Sequence, residues 1–226
     1  MTGPASSDMQ SKAHVVRILS DWWTRPDAAR VALWASTSYR DQVLEIWQLA
    51  VQKNSNSPEK LLSAAATDPA ELITEYERLF VGPATIPCPP YEAVWRSDRP
   101  KHEQGIVMGR STARTKEIYR ELGMRLRPGE VELPDHIAVE LEALAQAWRT
   151  DHTVQADALV GLLQGWLPPF AASVAANSQL EFYRNLAELT WEFFLQLGPR
   201  DVACQCGSSR KLDFVRSENF LKGVNA

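Results

Sequence analysis

Over most of the stretch from Lys12 to Leu197 the apolar residues recur at helical spacing, and no alternating pattern runs long enough to make a strand. That periodicity restricts the chain to helix-on-helix packing, an all-α class. Val15, Ile18, Leu19 and Trp22 follow the i, i+3, i+4, i+7 rule until Arg25-Pro26 breaks it. A second helix from Asp27 carries Val31 and Trp34, and a third carries Val43, Ile46, Trp47 and Ala50. After the loop Asn54–Ser57, Ser57-Pro58 reads as an N-cap followed by proline at the first helical position. Asp68, Pro69 and Glu71 form the clearest start, ahead of the stripe Leu72, Ile73, Tyr76, Leu79, Phe80, and Gly82-Pro83 stops that helix.

Beyond Gly82 the period lapses until about Arg110, and four prolines fall between Pro83 and Pro90. Helices are then expected over Thr112–Leu122, from Pro134 (bearing Ile137, Leu141, Leu144 and Trp148), and from a Thr153 cap (bearing Leu159, Leu162, Leu163 and Trp166). Pro168-Pro169 reads as the start of a short further helix. Ser178 with Glu181 reads as a capping box for a last long one carrying Tyr183, Leu186, Phe193 and Phe194. The expected organisation is a frayed tail over 1–11, a single helical-bundle domain of about ten helices over 12–198, and a partly irregular tail over 199–226. A short amphipathic helix near Leu212–Leu221 is expected in that last tail.

Composition excludes several classes. Hydrophobic residues at 45% and charged residues at 23% suit a chain with a real core rather than a disordered one. Lys+Arg 24 against Asp+Glu 28 gives net charge −4, without the basic surplus of a nucleic-acid binder. Three cysteines cannot build a disulfide framework. The polar opening MTGPASSDMQSK lacks a signal-peptide core, and Met1-Thr2 lacks the glycine for myristoylation. The stretch Ala158–Ala176 is interrupted by Gln164 and Pro168-Pro169 and falls short of a membrane span. A cytoplasmic protein without stable membrane insertion is the expectation. Eight tryptophans are generous for this length: six fall in expected helices, Trp23 beside Trp22 is expected to be partly exposed, and Trp95 lies outside the helices.

The usual catalytic constellations are missing: there is no GxxxxGK[ST], GxGxxG or HExxH. Gly105-Ile-Val-Met-Gly109 is no more than a turn, and Cys204-Gln-Cys206 has CxC rather than CxxC spacing, so neither metal nor cofactor is expected. A metal-responsive adaptor built on that cysteine pair is one reading of the tail.

Two segments stand out. Tyr76-Glu-Arg-Leu-Phe-Val-Gly-Pro-Ala-Thr-Ile-Pro-Cys-Pro-Pro-Tyr-Glu-Ala-Val-Trp95 joins a helix end to a proline-stiffened stretch that cannot take part in helical hydrogen bonding. Its Tyr91 and Trp95 either line a groove or plug the core beneath a rigid loop. In Glu132-Leu-Pro-Asp-His-Ile-Ala-Val-Glu-Leu141, Asp135 is expected in a first helical turn, with His136 and Glu140 as i, i+4 neighbours in which the carboxylate raises the imidazole pKa. That pair reads either as a surface contact or as the working dyad of a small nucleotide-binding or hydrolytic enzyme, although no nucleophile accompanies it.

The first segment resembles the "Y-x-x-L-F-x-G-P…P-x-P-P-[YW]-E-S-V" signature of the TorD/DmsD/NarJ family, and the second its "E-x-P-D-H-I-x-x-E-L", in the family's order. Trp166-Leu-Pro-Pro-Phe170 and Phe182-Tyr-Arg-Asn-Leu-Ala187 resemble a later tract of the same family, so the similarity covers roughly 70–197. Ala93 stands where the family usually has serine, and Leu162 where a histidine often precedes the tryptophan. The resemblance implies an all-α, non-enzymatic cytoplasmic chaperone that binds the twin-arginine signal peptide or apo form of a DMSO-reductase-type molybdoenzyme catalytic subunit. Such a chaperone assists molybdenum-cofactor insertion before export, with molybdenum-cofactor biosynthesis proteins as further partners. Carried over by position, the client site takes Leu79, Phe80, Pro90, Tyr91 and Trp95 on one side and Asp135 and His136 on the other, with Glu92 and Glu140 nearby. Carboxylates would meet the client's guanidinium groups, and aromatic faces its apolar side chains.

Overall fold

In a computed structural model the chain is described over residues 7–51, 58–65, 68–82, 85–96, 110–125 and 133–198. Ten α-helices occur among them: α1 (Ser7–Trp23), α2 (Ala28–Ala35), α3 (Thr37–Ala50), α4 (Glu59–Ala64), α5 (Pro69–Tyr76), α6 (Glu92–Trp95), α7 (Arg110–Glu121), α8 (Ile137–Arg149), α9 (Thr153–Asn177) and α10 (Glu181–Gln196). Among the described residues there is no strand; an isolated antiparallel bridge links Tyr91 to His136. The class is all-α.

Short polar side chains set the helix starts where the sequence predicts them. Asp27 accepts from Arg30 N at the head of α2, and Asp68 accepts from Ala70 N ahead of Pro69 in α5. Other boundaries differ. α1 begins at Ser7, so the last residues of the expected frayed tail are helical, with Lys12 and Asp8 paired one turn apart at 2.7 Å. At α4 the cap is Pro58 itself. Ser178 does not cap α10: its hydroxyl donates to Leu180 O at 2.7 Å, and Leu180 holds the cap position.

α1 lies along α8, and α9 packs between α8 and α10. Ser20 is small enough for close approach and donates to Ala138 O at 2.8 Å across the α1–α8 seam. Trp23 is 1% exposed, contrary to the expectation of partial exposure. α1 is covered on more than one side: Trp23 meets Phe80 edge to face at 5.8 Å and Phe170 at a tilt at 5.1 Å, and its indole N–H reaches Thr190 Oγ1 at 3.0 Å. Burying a side chain of this size stabilises by roughly 2–3 kcal/mol once its N–H is satisfied.

α9 runs unbroken for 25 residues with Pro168 and Pro169 inside it, where a new helix start is expected from sequence. Each proline removes a helical donor, a cost near ~3 kcal/mol. Trp166, Leu167, Phe170, Ala171 and Val174 are buried on both sides of the pair, and this continuous packing outweighs the local penalty. Upstream, Gln164 donates to Phe194 O and Gly198 O (2.9 and 2.8 Å), tying down the end of α10. By length and composition α9 could cross a membrane, which the sequence reading discounted, yet 56% of its most apolar window is buried as the central helix of the bundle.

Candidate functional site

The placing of the proline-rich segment begins with a change of helical pitch. After α5 the chain makes a π-helical turn, Glu77–Val81, closed by Gly82 N donating to Glu77 O at 2.6 Å. Gly82 then adopts φ +61, and a Cβ there would sit 3.2 Å from Ile86 Cγ1, so glycine is required. The carbonyl of Leu79 would ordinarily take a donor four residues on, but that residue is Pro83, which has none. Cys88 N fills the role at 3.0 Å, folding residues 85–90 back on the bundle. The buried Cys88 thiol meets Ser173 Oγ of α9 at 3.3 Å, and burial pushes its pKa up, as for an inert packing thiol.

The two sequence segments are joined to each other. Glu92 N donates to Asp135 O and Ile137 N to Pro90 O, both at 2.9 Å, so Tyr91 and His136 face one another in an antiparallel bridge. Their rings meet edge to face at 5.4 Å. Trp95 ends α6, rather than lying outside the helices; its indole donates to Pro89 O at 2.6 Å and its ring packs 5.8 Å from Phe170. From α7, Tyr119 donates to Pro134 O at 2.7 Å and holds the second segment from behind.

His136 is the N-cap of α8, not a residue inside it: the helix begins at Ile137, and His136 Nδ1 accepts from Ala138 N at 3.1 Å. The proton therefore sits on Nε2. Asp135 precedes the cap instead of occupying the first turn. His136 is 1% exposed, and burial lowers its pKa to about 3, the reverse of the rise expected from a Glu140 partner. Glu140 turns to α9 instead, where Oε2 accepts from the Trp166 indole at 3.0 Å. Glu140 Oε1 has no hydrogen-bond partner among the described residues. Burial first, then the nearby Glu92 and Asp135 charges, raise the Glu140 pKa well above the usual carboxylate range.

Of the nine residues carried over as a client site, the structure brings all but Leu79 and Phe80 into this one module. Those two lie in the π turn, fully buried, with Phe80 in an aromatic cluster with Trp23, Tyr76, Phe170 and Tyr183. Pro90, Glu92, Asp135, His136 and Glu140 are buried, whereas Tyr91 and Trp95 are half-buried. The pair expected on the surface, His136 with Glu140, is thus interior.

Three residues of the module escape the sequence reading. Trp166 carries no sequence signal beyond its motif tract, and Tyr119 none beyond its helix. Arg96 carried a local signal: it stands four residues after Glu92, and its Nη1 meets Glu92 Oε1 at 3.0 Å with the two side chains 10% and 0% exposed. No group of three His, Cys, Asp or Glu among the described residues has metal-ligand geometry. Cys204, Cys206, Gly105–Gly109 and the expected helix near Leu212–Leu221 lie outside the described residues.

A family model described as nitrate reductase delta subunit matches residues 45–172. The chain is 30% identical over 117 residues to the Tat proofreading chaperone DmsD of Salmonella typhi, covering 50% of this chain and 54% of that one. It is 28% identical over 123 residues to the chaperone protein TorD of Shewanella piezotolerans, covering 53% and 57%. The chain thus spans about half the length of the curated relatives it matches. A crystal structure described as that of a redox enzyme maturation protein from Archaeoglobus fulgidus superposes with TM-score 0.56 at 25% identity, over 82% of this chain and 93% of that one. With two linked motifs, an all-α bundle and a family match over more than half its residues, the chain belongs to the nitrate reductase delta subunit family, the TorD/DmsD/NarJ group.

Proposed function

We propose that this protein is a cytoplasmic chaperone for the catalytic subunit of a DMSO-reductase-type molybdoenzyme. It binds the subunit's twin-arginine signal peptide in the apo state and assists cofactor insertion before export, without catalytic chemistry of its own. Its partners are the preprotein and, at the insertion step, proteins of molybdenum-cofactor biosynthesis. The carrying observation is the Tyr91–His136 bridge, which joins both motif segments into one module with half-buried aromatic rings beside buried carboxylates. Relatives described as Tat proofreading and TorD chaperones support the same reading.

The chemistry suits such a client. Tyr91 and Trp95 offer rings to an apolar segment or to a guanidinium face. Pro90, Asp135 and His136 hold the Tyr91 segment in place through the bridge. The alternative of a nucleotide-binding or hydrolytic enzyme using His136 and Glu140 has less support: the imidazole spends Nδ1 on a backbone N–H and stays neutral, and the carboxyl turns away to the Trp166 indole. The test is co-purification with a twin-arginine preprotein, followed by Tyr91→Ala and Trp95→Ala. Each substitution is expected to weaken binding about tenfold or more; full binding by both variants would remove the site assignment.

A further inference from the structure

α1 and α8 run antiparallel, and their seam is closed at one end and open at the other. Ser20 reaches Ala138 O at 2.8 Å, and Arg17 pairs with Glu142 a turn further along. Next come two alanines, Ala13 on α1 and Ala145 on α8. With no atoms beyond Cβ they leave the seam unfilled, and with Met124, just past α7, they floor a cavity of about 220 Å³. The rim of that cavity is cationic. His14, Arg17 and Arg149 stand there against Glu142, the single acid in its lining, although the chain as a whole carries net charge −4. Arg149 is exposed and donates to the uncharged Gln146 side chain, so its guanidinium meets no carboxylate among the described residues. His14 is exposed and has no hydrogen-bond partner among the described residues. Arg125, next in the chain to Met124, is exposed as well and adds a further positive charge beside the opening.

We propose that this cavity is a docking site for an acidic segment of a partner polypeptide, with a carboxylate side chain seated between His14, Arg17 and Arg149 and a neighbouring apolar side chain on Ala13, Met124 and Ala145. Size argues against a larger occupant: about 220 Å³ is below the roughly 300–1,000 Å³ of sites that enclose drug-sized molecules, and suits one or two side chains. Exchanging the Gln146 amide for a carboxylate gives the Arg149 guanidinium a charge-assisted, forked pairing that a neutral acceptor does not offer. The Arg17–Glu142 pair has side chains 60% and 47% exposed, so it is screened by solvent and resists rearrangement little. Met124 is unbranched and adapts to apolar side chains of different shape. The site is independent of the client reading above. It lies at the far end of α8 from the Tyr91–His136 bridge, about 18 Å away at 1.5 Å per residue, and its charge repels paired arginines.

The test is fluorescence anisotropy at low salt with the full chain and a labelled peptide Gly-Glu-Leu-Asp-Leu-Gly, beside its uncharged counterpart Gly-Gln-Leu-Asn-Leu-Gly. Saturable binding of the acidic peptide is expected, at least about tenfold tighter than that of the amide peptide. Arg149→Glu reverses the rim charge at an exposed position, and Ala145→Leu fills the cavity; each is expected to weaken binding about tenfold or more. Arg114→Glu makes the same change of net charge on the exposed face of α7, outside the cavity, and is expected to leave binding within about twofold of wild type. No saturable binding overturns the proposal, as does equal weakening by Arg114→Glu and Arg149→Glu, which would mark diffuse attraction rather than a site. Should Ala145→Leu fail to fold, the two charge reversals still decide the matter. Self-association or binding to phosphatidylglycerol vesicles that Arg149→Glu abolishes, without peptide binding, assigns a different occupant and likewise overturns it.

Discussion

Glu75 and Glu140 are both buried glutamates on helices of one bundle, 4% and 0% exposed, and their surroundings drive their pKa values in opposite directions. For Glu75, burial alone would raise the pKa. Two hydrogen bonds from Arg78 at 2.7 and 2.8 Å, and the Gln179 N–H at 2.6 Å, outweigh it and hold the carboxyl below its ordinary value. Arg78 goes on to Asn177 O at 2.6 Å, so this corner ties the end of α5 to the α9–α10 turn. Glu140 has one indole N–H and two neighbouring acids, and there burial prevails. A buried carboxylate with enough donors is a structural tie, whereas one short of donors has its pKa driven up by burial.

The comparison can be broken by substitution. The largest effect is expected from Trp166→Ala, which removes a fully buried indole and the donor of Glu140 together: about 4 kcal/mol lost in urea unfolding. Glu75→Ala comes next, at about 2 kcal/mol, because Arg78 still reaches water while the Gln179 N–H loses its acceptor. Acid unfolding of this variant is expected to show a flatter profile below pH ~4.5: the folded pKa of Glu75 is depressed, so its contribution is present above the unfolded value and is lost as pH falls through the folded one.

Glu140→Gln sharpens the contrast from the other side. The folded pKa of Glu140 is raised, so its contribution is full below the unfolded value and is lost as pH rises through the folded one. Gln keeps an acceptor for Trp166, and the variant is expected to match or exceed wild type above neutral pH in urea titrations. The smallest change at pH 7 belongs to His136→Asn, which preserves an N-cap acceptor for Ala138 N. Wild type loses stability as pH falls from ~6.5 towards the folded value of about 3, since the unfolded chain takes the proton first. His136→Asn is expected to lack that slope, and an unchanged slope would show that His136 is not the group responsible.

Much of the helical layout is legible in the residues, because caps and stops are local chemistry. Asp27 and Asp68 bond to N–H groups two or three residues away, and Gly82 and Gly123 take positive φ at the ends their positions announce. The candidate site is less legible. His136 reads as a helical residue facing Glu140, but the backbone on either side of it, at Asp135 and Ile137, is pinned by Glu92 and Pro90 from far upstream in the chain, and that bridge makes it a cap. Arg96 and Gly165 meet across the bundle with no shared local pattern. Pro168-Pro169 reads as a boundary because propensity counts donors within a turn, while the burial that overrides it comes from other helices.

The sequence by itself determined the all-α class, most helix positions, and the two motif segments that mark the family, since each is written in periodicity, caps or residue order. Tertiary structure alone decided which way the Glu75 and Glu140 pKa values move, that His136 is neutral, that Trp23 is buried, and that Arg96 pairs with the buried Glu92. Those outcomes depend on desolvation and on donors supplied across the bundle, and neither is encoded at any single stretch of the chain.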